Sequence, residues 1–568
     1  MYVEDVPNRT SPPAILLRES KRNGKQTVKR TIANMTHWPA DLVAVIRRAV
    51  KGETLVSPSD LWEIERSLPH GHVEAVLGTV RRLRVDDLIA SKPSRERSLI
   101  LALLVERLIH PASKLATVRL WKETTLAQAL DVQDAPVEEV YHALDWLLAR
   151  QARIETKLSQ RHLSSDGLVL YDVSSSSYHG HACPLAVFGH NRDGQEQLPC
   201  IVYGLLADVE GRPVSVQVYP GNTGDPATVP DQVEKIRERF GLSHVILVGD
   251  RGMLTQTRIE TLRQYPGLGW ISALRSEAIR ALMDTGCLNV SAFEHRTLAE
   301  IASPAFPGER LFACYNELLA RERKRTRSEL LDATQKALQR IARDAARRTN
   351  KPFTDAQIGV KVGRTINRHK VGKHFDYTIE NHGLRFERKT GTIKREAELD
   401  GIYVIRTSES SERIGAHDAV RGYKNLAQVE RAFRCIKGID ARVRPIFHHT
   451  PDHVRAHIFL CMLAYYVDWH IRQAWAPLLF ADESLPQTRR TRDPVAPAGI
   501  SPETKTKKKT RRTDDGFEVQ SFDSLMAILG TRCQNTCRMK MQGDQMFSQN
   551  TQPTPLQKRA LELLGIKT

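Results

Sequence analysis

The 568-residue chain is poor in the features that would place it in several large classes. Its eight cysteines form no C-x-x-C pair, and the closest two, Cys533 and Cys537, have no second ligand pair nearby. That spacing argues against a structural zinc site and for ordinary thiols in a reduced, intracellular protein. His179-Gly180-His181-Ala182-Cys183 is too crowded to supply tetrahedral ligands and has no partner pair. No stretch approaches the ~18 consecutive apolar residues that cross a bilayer, and no leader pattern opens the chain, so a cytoplasmic protein without a membrane partner is expected. No G-x-S-x-G elbow accompanies Ser174 to Ser177, which sets a serine hydrolase aside. No internal repeat is evident. Acid is also in deficit: 66 Asp and Glu stand against 84 Lys and Arg, a formal charge of +18. A polyanion is the partner such a balance favours, and nucleic acid is the commonest one.

The length predicts three or four domains. In region 1–56, two β-prone runs, Ile15 to Ser20 and Gln26 to Ile32, flank Asn23-Gly24 and predict a basic hairpin. Such a hairpin suits a phosphate backbone or a solvated edge equally well. From 57 to 165 the pattern is helical, a DNA-binding or scaffolding domain. Ser57-Pro58-Ser59-Asp60 and Ser94 mark helix starts, His110-Pro111 ends one helix, and Pro136 starts another. In region 166–275, Leu168 to Asp172, Ile201 to Ala207 and Val214 to Tyr219 read as an antiparallel meander. A helix over Pro230 to Phe240, a strand over His244 to Asp250, a helix over Thr255 to Gln264 and a strand over Trp270 to Arg275 follow. Together they describe a mixed α/β sheet. Region 276–412 reads as an insertion, with a charged helix over Leu318 to Ala346 and strands at Phe375 to Ile379 and Ile402 to Ile405. The core resumes over 413–484, with helices from Leu426 to Lys437 and from Pro451 to Ala474. The basic, proline-rich segment 485–515 reads as a flexible linker or DNA-touching tail, followed by a C-terminal tail over 516–568.

Two acids, Asp172 and Asp250, are each placed at the end of an apolar strand. If the strands are neighbours, two hard oxygen donors converge, the donor type Mg²⁺ prefers. Metal ions so held activate an attacking oxygen and stabilise a leaving one at phosphorus. On an ideal helix, Tyr423, Glu430 and Lys437 fall nearly on one line and Arg434 lies one turn beyond Glu430. Leu426, Val429, Phe433 and Ile436 form the adjoining apolar stripe. The blander reading is a surface helix with Glu430 and Arg434 as an i,i+4 ion pair. Trp270 reads as a core residue or as a stacking platform for an unpaired base, and Gly221 to Asp225 as a turn or a phosphate approach.

The segment Tyr423-x-x-Leu426-x-x-x-Glu430-x6-Lys437, preceded in order by Asp172 and Asp250, resembles the Y-x2-R-x3-E-x6-K signature of the DDE transposases of bacterial insertion sequences. Where that signature has arginine, this chain has Leu426. The resemblance covers roughly Leu168 to Trp469. It implies a ribonuclease-H-like mixed-sheet core with a long α+β insertion, preceded by the hairpin and the helical domain. It further implies Asp172, Asp250 and Glu430 as catalytic metal ligands for two Mg²⁺, with Mn²⁺ as a substitute. Tyr423, Arg434 and Lys437 would contact DNA. The partners would be double-stranded DNA, at the element's ends and at the target, and a second copy of the chain in a homodimer on DNA. The location would be the bacterial cytoplasm, at the nucleoid. Two rivals stay open: a transposase-derived DNA-binding protein that no longer cuts, and a metal-dependent nuclease that cuts without joining.

Overall fold

The computed structural model describes the chain except residues 10, 54–61, 294–295, 440–441, 498, 540–544 and 568, and the side chains of 290, 292 and 439. The helix start expected at Ser57 to Asp60 lies outside the described residues. The chain forms two compact units, Met1–Pro69 with Arg532–Gln552, and His70–Thr531 with Pro553–Thr568.

In the first unit β1 (Tyr2–Val6), β2 (Ala14–Asn23) and β3 (Gln26–Asn34) make an antiparallel sheet in that order. Asn23 pairs with Gln26, so the turn residues are Gly24 and Lys25 rather than Asn23 and Gly24. Gly24, at φ +61, takes the left-handed first turn position that a side chain would resist. Helix α1 (Ala40–Val50) follows. The helical pattern expected from residue 57 is corrected at Trp62–Pro69, which is a strand, β4. Trp62-Glu63-Ile64-Glu65 alternates apolar and polar, the period of a strand. β4 pairs antiparallel with the distant Cys533–Met539, which also pairs with Met546–Asn550.

The second unit opens with helices: α2 (Gly71–Arg82), α3 (Arg95–Ile109), α4 (Val137–Leu148) and α5 (Gln151–His162). Ser94 caps α3 as its position predicts, accepting from the Arg97 amide at 3.2 Å. Pro136 precedes α4, where its missing N–H costs nothing.

Next comes an eight-stranded mixed sheet, built from β5 (Leu168–Ser177), β6 (Cys200–Ala207), β7 (Pro213–Pro220), β8 (Val245–Val248), β9 (Leu268–Ala273), β10 (Leu298–Ile301), β11 (Arg310–Tyr315) and β14 (Ile402–Thr407). Its order is β10-β11-β14-β9-β8-β5-β6-β7. The meander β5-β6-β7 is antiparallel, whereas β5, β8 and β9 run parallel. A three-strand meander joined through its first strand to two parallel strands is the ribonuclease-H-like arrangement the sequence implied. Between β11 and β14 lie the charged helix α6 (Glu317–Arg347), α7 (Asp355–His369) and the hairpin β12 (Phe375–Glu380) and β13 (Gly383–Arg388). These pack around Leu331, Leu338, Ile358, Val362 and Phe375 as a small core of their own. By contrast, β10, β11 and β14 extend the main sheet past β9.

Helices α8 (Ala416–Lys424) and α9 (Leu426–Arg434) return to the sheet, and a π-helical turn, Cys435–Ile439, ends α9. The helix expected over Leu426 to Lys437 starts as expected but changes pitch after Arg434, and Tyr423, placed on the same helical line, lies on α8 across the break at Asn425. Helix α10 (Pro451–Ala474) packs against α3, α4 and β7 and is buried along most of its length. Residues 485–515, read as a flexible linker, contain α11 (Leu485–Thr491) and α12 (Pro502–Thr510). Lys507 of α12 is buried and donates to Ala476 O at 3.1 Å and to Glu483 at 2.7 Å, which anchors the segment.

Candidate active site

Asp172 does not end its strand, as the apolar run suggested; β5 continues to Ser177 because Ser174 to Ser177 still pair with β6. What ends is the parallel ladder beside it. β5 pairs with β8 only over Leu168–Leu170, with Leu170 opposite Val248. Two residues past that last pair, one chain carries Asp172 and the other Asp250. The shared register therefore delivers both acids to the same edge of the parallel strands, where an open α/β sheet presents its binding crevice.

Asp172 accepts from the Val173 amide at 2.8 Å through Oδ1. Asp250 turns the chain: its Oδ1 accepts from the amides of Gly252 and Met253, both at 2.8 Å, and Ser272 Oγ donates to its backbone oxygen at 3.1 Å. One carboxylate oxygen of each acid is thereby engaged. Burial pushes the Asp172 carboxyl up to about 7, eased by the Val173 N–H and Arg192 and reinforced by the negative charges of Asp250 and Glu430. Glu430, exposed on α9, thus lies close enough to act on Asp172 across the sheet edge. Gly422 lets α8 approach, since a methyl there would come within 3.0 Å of Leu168 Cδ1 on β5. Next to it, Tyr423 is half-buried, and its phenol is pushed up to about 12 by burial and then by Asp250, so it keeps its proton at neutral pH.

The remaining signature residues part company. Arg434 is exposed, and no ion pair joins it to Glu430 among the described residues. Lys437, on the π turn, is buried and donates to Asp193 Oδ1 at 2.9 Å. Arg444 meets the same oxygen at 2.8 Å, and the Ser177 amide donates to the other at 2.9 Å. Asp193 and Arg192 were not singled out in the sequence. The run Asn191-Arg192-Asp193-Gly194 carried only a turn signal, and their partners come from distant elements.

Three hard carboxylates in a shared field have the donor chemistry of a divalent oxygen-loving cation. Their side chains are not drawn together around one point: among the described residues no group of three or more His, Cys, Asp or Glu could hold a metal ion as placed. That holds for His179, His181 and Cys183 too. Ser175 and Ser176 are buried, Ser175 donating to His190 O at 2.8 Å and Ser176 sharing a hydrogen bond with Tyr203 at 2.8 Å, so they brace the strand. Trp270 is 1% exposed, a core residue of β9. At Gly221 a methyl would meet Cys200 O at 2.0 Å, a close backbone crossing that requires glycine.

Sheet order and acid placement define a ribonuclease-H-like protein with an acidic strand edge. The transposase DDE domain family matches residues 166–467 of the 568, and the chain belongs to that family. No curated protein matches the sequence. Among solved structures, a cryo-EM structure of the piggyBac transposase synaptic complex with hairpin DNA is similar at 10% identity. That match covers 81% of this chain and 76% of the other, with a TM-score of 0.33 that carries no argument.

Proposed function

We propose that the protein is a DNA transposase that cleaves the ends of an insertion sequence and joins them to target DNA by Mg²⁺-dependent phosphoryl transfer. The reading is carried by the register that puts Asp172 and Asp250 at equivalent positions past the last β5–β8 pair, with the charge of Glu430 reaching Asp172. Asp172, Asp250 and Glu430 would hold the ions, two Mg²⁺ or Mn²⁺ in their place. Bound there, the metal would activate the attacking oxygen and stabilise the leaving one. Tyr423 keeps a hydroxyl donor available for a phosphate oxygen, and Arg434 extends an unpaired cation into solvent beside the acids. Lys437 is a DNA contact only if a phosphate takes the place of Asp193, its present partner. The substrate is double-stranded DNA, engaged by two copies of the chain in the cytoplasm. Among the described residues no helix is long and apolar enough to cross a membrane.

The test is cleavage of DNA carrying the element's own ends with Mg²⁺, comparing wild type with Glu430→Gln. Nicking and joining by wild type alone, with both proteins binding DNA, is the expected result. Equal activity in the variant removes Glu430 from the site. Binding without cutting by either protein identifies a non-catalytic DNA-binding relative, and cutting without joined products a nuclease.

A further inference from the structure

Helix α9 has a second working flank. Glu430 serves the acidic edge, whereas Asn425, Gln428, Arg431 and Cys435 turn toward a cavity of about 610 Å³ bounded also by α8, α10 and α11. Several arginines enter it, and most are paired. Arg472 meets Asp468 at 2.8 Å, Arg490 meets Glu210 at 2.7 Å, and Arg421 meets Asp418. Arg431 and Arg489 make no ion pair among the described residues, nor does Arg492 just past α11. Nη1 of Arg492 and Nε of Arg421 are buried without any hydrogen-bond acceptor. The guanidinium of Arg489 is held below its ordinary value by burial and then by the charges of Arg431 and Arg492. The acids that line the cavity are already engaged: Glu210 by Arg490, and Asp482 by the amides of Ser501 at 3.0 Å and Ser484 at 3.2 Å. Arg431 and Arg489 line the cavity without an ion-pair partner, Arg492 lies beside them close enough to act on Arg489, and two orphaned donors, on Arg421 and Arg492, stand where the fold supplies no acceptor.

We propose that this cavity is an anion site separate from the acidic edge, taking backbone phosphates of DNA through Arg431, Arg489 and Arg492. Guanidinium forks match phosphate oxygens two at a time, and buried donors without acceptors are costly until such an anion arrives. The proposal rests on the reading of the chain as DNA-binding. A free nucleotide offers the same phosphate chemistry. DNA is favoured by the lysines and arginines that continue from the mouth along α11 and α12, more than one small ligand could use.

The experiment follows binding of a short fluorescein-labelled duplex of random sequence by anisotropy across a salt series, without metal. R489Q/R492Q is compared with K508Q/K509Q, which removes two exposed lysines of α12. Each phosphate contact contributes about 0.9 to the slope of log K against log salt. The arginine pair is expected to lower that slope by about two and to weaken binding roughly ten-fold, well beyond the lysine pair. R489K/R492K, which keeps the charges, should retain the slope but bind several-fold more weakly, and it serves if the glutamine pair fails to fold. Equal effects of the arginine and lysine pairs would overturn the site. An unchanged slope in R489Q/R492Q, with ATP binding lost, would give the cavity to free nucleotides and overturn the DNA assignment. Failure of the transposase reading registers separately, as wild type that binds the duplex yet leaves it uncut when Mg²⁺ is added.

Discussion

Asp172 and Asp193 lie on one stretch of chain, β5 and the loop that follows it, and they meet opposite fates. Asp193 is 3% exposed at its side chain, and Lys437, Arg444 and the Ser177 amide outweigh the burial that would push it up, so it stays ionised below its ordinary value. Asp172 has acids for neighbours, and burial together with their charge pushes it up to about 7. A buried acid ringed by cations is satisfied by the fold. An acid beside two other acids, with Arg192 opposing them, is left short of positive charge. The difference separates a strut from a candidate site residue without reference to any relative.

Removing charge from each kind of acid should break the comparison in different ways. Asp172→Asn is expected to lower strand cleavage by roughly 10³-fold or more, in the range seen for groups that act on the transition state, while the melting temperature holds or rises. Steady-state cleavage and a thermal melt check both halves; a fall in stability without loss of cleavage would reverse the assignment. Asp193→Asn should do the opposite first. It strands Lys437 in a buried place without its partner, at a cost of about 3 kcal/mol measured by urea unfolding.

Lys114 is the cationic counterpart, a buried charge with no acid beside it. It is buried beside α3, donates to His457 Nδ1 at 3.3 Å, and is held down to about 7 by burial and then by Arg107, with Cys461 opposing. Because the folded value lies below the unfolded 10.5, the unfolded chain binds the extra proton between pH 7 and 10.5, and stability must rise with pH across that window. The slope contributed is at most about 1.4 kcal/mol per pH unit. Lys114→Met should flatten it and raise stability at pH 7, as unfolding at several pH values would show; an unchanged slope would mean that Lys114 stays charged inside. The smallest effect expected is Ser94→Ala, a loss of about 1 kcal/mol from an uncharged cap. A loss as large as that for Asp193→Asn would mean that charge compensation is not what distinguishes the strut.

The cap at Ser94, the hairpin near Gly24, the strands leading to Asp172 and Asp250 and the helix over Pro451–Ala474 were legible because their signals are local: a capping residue, a turn glycine, apolar runs of strand length. β4 was misread as helical although Trp62 to Glu65 alternates with the period of a strand, because its partner Cys533–Met539 stands near the other end of the chain and that pairing is not local. β10 and β11 escaped for the same reason. In the candidate site the identity of the acids could be read from spacing. The direction of Lys437 could not, because the π turn after Arg434 alters the pitch on which the straight-line argument relied. Nor could the cavity beside α9 be read, as its arginines come from α8, α9, α10 and α11.

The ladder that joins the insertion's β14 to β9 pairs Ile405 with Ala273, Arg406 with Ser272 and Thr407 with Ile271. The middle pair falls on the serine whose hydroxyl holds the backbone oxygen of Asp250. The ladder thus leads, through one hydroxyl, to an acid of the candidate site. A displacement of β14 would be passed through Ser272 to the backbone of Asp250, so the position of the insertion and that of the acid are set together.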